Sequence, residues 1–160
     1  MIAYLSGAME KAVDEGADWR KEITLWLKSE LNHDVVDPVV ESKKLVKLTG
    51  SQDYRKWKED DPGRYISFVR KCVKRDLDVV MKEVNYLICL WDEFVLKGGG
   101  THGEVTVAYL HHVPVYLVNR LPKEDFSSWI EACSTKVFQD FSSLQQFLKE
   151  QHRKGQNIKS

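Results

Sequence analysis

Neither sign of charge prevails in this 160-residue sequence, in which 24 basic side chains are matched by 24 acidic ones. That balance argues against bulk attraction to a nucleic-acid polymer or to an anionic membrane. Cysteine is scarce: Cys72, Cys89 and Cys133 are odd in number and widely separated. A disulfide framework or a zinc site needs closer, paired spacing, so free thiols in a reducing compartment are expected. Long apolar runs are lacking too. The longest, Tyr86 to Trp91, is far too short to span a bilayer. The opening MIAYLSGAME has no basic lead and no extended apolar stretch, and a cytosolic protein is the expectation. No internal repeat and no second domain are visible. One domain over 1–150 and a polar, frayed tail over 151–160 are expected.

What is present alternates between short apolar runs and helical periods. Ile2 to Leu5 reads as a buried strand ending in a tight turn at Ser6-Gly7. A helix follows, capped by Asp18, with Trp19, Ile23, Trp26, Leu27 and Leu31 at helical spacing and an end at Asn32-His33. Val35-Val36 makes a second strand, stopped by Pro38. Val40 to Gly63 is rich in charge and lacks a sustained period, which predicts a long loop or a partly helical excursion. A helix is predicted from about Tyr65 to Lys82, with Val69, Val73 and Val80 on its inner stripe. NYLICLW, Asn85 to Trp91, is the clearest strand, apolar enough for both its faces to be covered. After a glycine-rich turn come a helix from about Thr101 to His112 and a strand at Val113 to Val118. A short helix at Ser127 to Cys133, a strand at Thr135 to Phe138 and a helix capped by Ser142 complete the series. This order implies an α/β fold: a single-domain, doubly wound parallel sheet of about five strands, Rossmann-like or flavodoxin-like, with helices on both faces. Ligands in such sheets bind beyond the carboxyl ends of the strands. That rule selects Tyr4 to Met9, the stretch after Val36, and Asp92 to Glu104.

The turn GGGTHGE, Gly98 to Glu104, is the strongest local signal. Its glycines permit positive φ and close approach of backbone to a ligand, and the following helix start offers free N–H groups. Gly98, Gly100 and Thr101 are therefore candidate binding positions. Glu104 shares a helical face with Val107, Ala108 and His111, which would aim its carboxylate at the crevice. The competing reading is a first-turn acid that complements the helix dipole. Asp76 stands in line with Val69, Val73 and Val80, a carboxylate on an apolar stripe. It needs a partner, such as a nearby Lys or Arg, or a helix rotated slightly outward, or else a function. Tyr4, Ser6, Gly7 and Met9 form a strand-to-loop junction suited to a sugar or phosphate oxygen, without a phosphate-binding GxxxxGK[ST] loop. Asp92 and Glu93 end the central strand, as crevice residues or as solvated acids. His111 and His112 are adjacent, so they diverge by about 100° on a helix and do not chelate one ion easily. No metal site is expected.

Three segments together, YLSGAM, KRDLDVVMKEVNYLICLWD and GGGTHGEVTVAYLHHVPVYLV, resemble the nucleoside 2-deoxyribosyltransferase-like family, which includes 2′-deoxynucleoside 5′-monophosphate N-hydrolases. The resemblance spans roughly Ile2 to Val118, with a weaker echo in SSWIEA and the final strand and helix. It implies that Glu104 attacks the anomeric carbon of a deoxyribosyl group. It also implies that Asp76 contacts the base and assists its proton transfer, and that Tyr4 lies beside the nucleophile. Ser6 and Gly7 would approach sugar or phosphate. The 2-deoxyribosyl group would pass to another base, or to water in the hydrolases, with no metal or redox cofactor. A homodimer or higher homo-oligomer is implied, in which a neighbouring subunit completes the pocket, and Asp125 to Ser128 is the nearest corresponding stretch. The chain departs from the pattern at Gly98, where an aspartate or serine is common, and at Asn85, where an aspartate is. A small nucleoside or nucleotide is the expected ligand. A non-catalytic nucleotide sensor and an interaction protein are the competing classes.

Overall fold

A computed structural model describes residues 1–157. Five strands form one sheet: β1 Ile2–Ser6, β2 Asp34–Val36, β3 Tyr86–Trp91, β4 Val115–Asn119 and β5 Lys136–Phe138. All pair in parallel, in the order β2-β1-β3-β4-β5. This is the doubly wound, flavodoxin-like order expected from the alternation of elements. The strand order reverses between β1 and β3, so a crevice opens where Ser6 lies level with Cys89. Asn85 pins that pair of strands at their other end. Its side chain accepts from the Ile2 amide at 2.7 Å, and its own amide donates to the Ile2 carbonyl at 2.9 Å.

Among the described residues seven α-helices surround the sheet: α1 Ala17–Leu31, α2 Pro38–Thr49, α3 Trp57–Asp60, α4 Pro62–Lys82, α5 Gly100–Leu110, α6 Ser128–Cys133 and α7 Phe141–Asn157. One apolar layer joins the sheet to α1 and α7 through Ala3, Leu5, Ile23, Leu27, Ile88, Leu144 and Leu148. The other joins it to α4, α5 and α6 through Tyr4, Val80, Leu87, Val105, Ala108, Leu117 and Ile130. A side chain as fully buried as Leu27 contributes roughly 1.5–3 kcal/mol by leaving water. β3 is buried almost throughout, as its unbroken apolar run predicts. Among the described residues no helix is long and apolar enough to cross a membrane.

Several local expectations are corrected. Of the two readings left open for Val40 to Gly63, the helical one holds, and more fully than expected: α2 and α4 both open on Asp-Pro. Asp37 accepts from the Val39 amide at 2.9 Å and Asp61 from the Arg64 amide at 3.0 Å, so each caps a helix whose first residue is proline. On α4 the buried stripe is rotated. Phe68 and Val80 are buried, whereas Val73 is 50% exposed. Asp18 lies inside the first turn of α1, whose N-cap is Gly16. At α7 the Asp140 carboxylate, not Ser142, accepts from the Ser143 amide at 2.7 Å. The polar stretch from Gln151 continues α7 as far as Asn157, and residues 158–160 of the expected tail lie outside the described residues.

Candidate active site

The crevice between β1 and β3 holds a cavity of about 320 Å³, lined by the loop after β1, by α2 to α4 and by the turn into α5. Such a volume lies at the lower end of the range for small-molecule sites. Gly7, Met9, Asp76, Gly98, Gly100, Thr101 and Glu104 all face it. Two carboxylates from separate helices, Asp76 on α4 and Glu104 on α5, thus share one cavity.

Glu104 is fixed from beneath by the first strand. Tyr4 donates its phenol to Glu104 Oε1 at 2.8 Å, and Ser6 donates its hydroxyl to Oε2 at 2.5 Å. Both donors are 0% exposed, so they back the carboxylate rather than line the cavity. Burial pushes the Glu104 carboxyl above the ordinary glutamate range, and the Ser6 and Tyr4 hydrogen bonds pull the other way. The Tyr4 phenol is raised well above its usual value, first by burial and then by the charge of Glu104. It stays a hydrogen-bond donor at neutral pH. Glu104 is thus oriented through both oxygens, with donors that favour its ionised form.

Asp76 has the cationic partner that its place on the helix required. Arg75 donates to Asp76 Oδ1 through Nε at 2.9 Å and through Nη2 at 2.6 Å, and its Nη2 also donates to Ser42 Oγ at 3.0 Å. Burial raises the Asp76 carboxyl, and the Arg75 charge opposes that rise. Both Arg75 bonds fall on one carboxylate oxygen, which leaves Oδ2 for another partner.

The glycine turn serves the cavity differently from expectation. None of Gly98, Gly99 and Gly100 has positive φ. A Cβ at any of these positions would meet no heavy atom within 4 Å, and all three line the cavity. They keep its wall low. Asp92 does not reach the cavity wall. Its Oδ1 accepts from the amides of Phe94 at 3.0 Å and Val95 at 3.3 Å, which turns the chain after β3. Asp125 and Ser128, at and beyond the short turn after β4, do not line it within this chain either.

The structure gathers a basic rim whose members the sequence did not single out one by one. Lys11, Arg55, Lys58 and Lys97 line the cavity from three separate segments, with Tyr54, Phe68 and Cys72 between them. Arg55 is engaged by Glu15. Sequence reasoning missed Arg20, which is 0% exposed. That residue is legible in principle: Arg20 precedes Ile23, Leu27 and Leu31 on one helical stripe, the same anomaly that singled out Asp76.

No family model matches this sequence, and no curated protein matches it. Among solved structures it is similar to the Clostridium botulinum CMP N-glycosidase BcmB. The TM-score is 0.53 and the identity 17%, over 92% of this chain and 98% of that one. At that identity the likeness shows a shared α/β fold.

Proposed function

We propose that this chain cleaves the N-glycosidic bond of a nucleoside or nucleotide, with Glu104 as the nucleophile. The observation that carries this reading is Glu104 itself, held through both oxygens by Tyr4 and Ser6 at the wall of a cavity that Asp76 also lines. A Glu104 oxygen attacks C1′, the bond from C1′ to the base nitrogen breaks, and its electron pair leaves with the base. A proton delivered from the Asp76 side neutralises that nitrogen. The product is a glycosyl ester on Glu104. A second base, giving up its proton to Asp76, then takes the sugar, or water does. Dividing one substitution into two in this way is covalent catalysis by a carboxylate, as in retaining glycosidases.

Transfer to another base is what the sequence resemblance implies. The basic rim favours a second reading, in which the substrate is a 5′-monophosphate and water is the acceptor. Lys11, Lys58 and Lys97 supply cations for a phosphate, and the structural neighbour is named for a nucleoside monophosphate. The same reading carries an association of copies. α5 and α6 expose Tyr109, Leu110 and Trp129, and Trp129 Nε1 donates to Thr106 Oγ1 across the two helices.

The test is a panel of deoxynucleosides and their 5′-monophosphates, each with and without a free acceptor base. Release of base is followed by chromatography, and a pentose adduct on Glu104 by mass spectrometry. Glu104→Ala is expected to lose turnover by about three orders of magnitude or more while remaining folded. Turnover undiminished in that variant refutes the nucleophile. Binding of a nucleotide without base release from any member of the panel would instead indicate a sensor.

A further inference from the structure

α1 carries a guanidinium with no exposed surface, and each of its hydrogen bonds goes to a main-chain oxygen. Arg20 Nε donates to the Leu5 carbonyl at 3.2 Å and Nη2 to the Gly7 carbonyl at 2.9 Å. Nη1 donates to the carbonyls of Ala8 at 3.3 Å, Glu15 at 3.0 Å and Gly16 at 3.0 Å. Its ion-pair partner is Asp37, at 3.7 Å. Burying a charge costs several kcal/mol unless it is paired and hydrogen-bonded, so this arrangement needs a reason.

The reason lies in which carbonyls are held. Leu5 and Gly7 flank Ser6, and the Ser6 hydroxyl is one of the two donors that fix Glu104. Gly7 and Ala8 are themselves cavity wall. Asp14, Glu15 and Gly16, which close the loop, all have left-handed backbone, with φ of 49°, 56° and 68°. Two of their carbonyls end on Arg20.

We propose that Arg20 is a positioning residue for the nucleophile: it clamps the main chain on both sides of Ser6, holds the loop that forms the cavity wall, and sets a fixed positive charge behind the Glu104 carboxylate. This rests on the reading of Glu104 given above. The charged and titratable groups that act on that carboxylate are Tyr4 on β1, Cys89 on β3, Asp76 on α4 and Arg20 on α1, while Arg75 on α4 acts on Tyr4 and Asp76. Burial and Asp76 push the Glu104 carboxyl up, while Ser6, Tyr4 and Arg20 pull it down. Losing the Arg20 charge moves the Glu104 titration to higher pH. Losing the Asp37 charge, which offsets Arg20, moves it to lower pH.

The experiment compares wild type with Arg20→Met, Arg20→Lys and Asp37→Asn, an asparagine being able to keep the α2 cap. Two quantities are measured. One is kcat, KM and the pH profile of kcat/KM on the panel member that releases base fastest. The other, which needs no substrate, is the titration midpoint of the Glu104 carboxyl by ¹³C NMR, assigned against Glu104→Gln. Arg20→Met is expected to lower kcat about 100-fold through misplacement of the nucleophile, with less effect on KM, and to raise the midpoint and the acid limb. Arg20→Lys keeps the charge but cannot span the same carbonyls, so kcat falls and the midpoint stays. Asp37→Asn lowers the midpoint. Should Arg20→Met fail to fold, the other two variants decide. Wild-type kcat in Arg20→Lys, or a midpoint unmoved in Asp37→Asn, overturns the inference. If Glu104→Ala is inactive and the Arg20 variants behave as wild type, this inference alone falls. If Glu104→Ala is active, the nucleophile reading falls with it.

Discussion

Asp76 shows how one side chain reconciles burial with reactivity. Arg75 occupies a single carboxylate oxygen, and burial lifts the carboxyl toward the range in which it can carry a proton. Asp76→Asn keeps the shape and removes the proton exchange, and base release is expected to fall roughly 10²–10⁴-fold on natural bases. A nitrophenyl deoxyriboside, whose leaving group needs no proton, should lose far less. Equal losses on both substrates would assign Asp76 to binding alone. At this scale the acids were legible, because a carboxylate in line with valines, or at the start of a helix after glycines, stands out in a linear pattern. Tyr4 was legible as a phenol at a strand-to-loop junction, and its place beside Glu104 only through resemblance. The individual members of the basic rim were not legible, since Lys11, Lys58 and Lys97 meet only after three segments fold together. Asp92 looked like a crevice acid because it ends the central strand, yet its carboxylate is committed to the amides of the next turn.

Among the elements, α1 and α2 show how caps and glycines fix the walls of the cavity. The charged stretch from Val40 to Gly63 lacks an apolar period, so the pattern left a long loop and a partly helical excursion both open. Asp37-Pro38 and Asp61-Pro62 are nonetheless helix starts, with a capping carboxylate followed by a residue whose φ is already helical. Two of the left-handed glycines differ in what surrounds them. Gly50, at φ 62°, has open space where a Cβ would sit. Gly16, at φ 68°, would place a Cβ 2.6 Å from Arg20 Nη1 and 2.8 Å from the Ala8 carbonyl. Gly50→Ala is expected to cost about 1–2 kcal/mol, the ordinary penalty of left-handed backbone. Gly16→Ala should cost distinctly more and should also lower activity, because it displaces Arg20. Thermal melts of the two variants, paired with turnover, check this. Equal destabilisation would show that the loop yields without disturbing the guanidinium.

For the molecule as a whole, the sheet order followed from the alternation of short apolar runs with helical periods. The strand-order reversal then located the cavity, as the doubly wound rule requires. That placement has a stability cost. The folded state holds the Glu104 proton more tightly than the unfolded chain does, because burial raises the carboxyl in the fold. The stabilising contribution of that proton is therefore complete below the unfolded value of about 4.3 and is lost as pH rises through the raised folded value. Glu104→Gln is expected to melt higher than wild type at pH 7, and the gap should narrow as the pH falls toward 5. A variant no more stable than wild type at pH 7 would mean that Tyr4 and Ser6 fully compensate the burial.

Tyr4 and Ser6 belong to the first strand of the sheet, whereas the carboxylate they grip is 100 and 98 positions further on. No amino-terminal piece that stops short of α5 contains both halves of that grip. A chain cut between β3 and α5 should be inert as separate fragments and regain turnover only when they reassociate, so catalysis here doubles as a reporter of complete assembly.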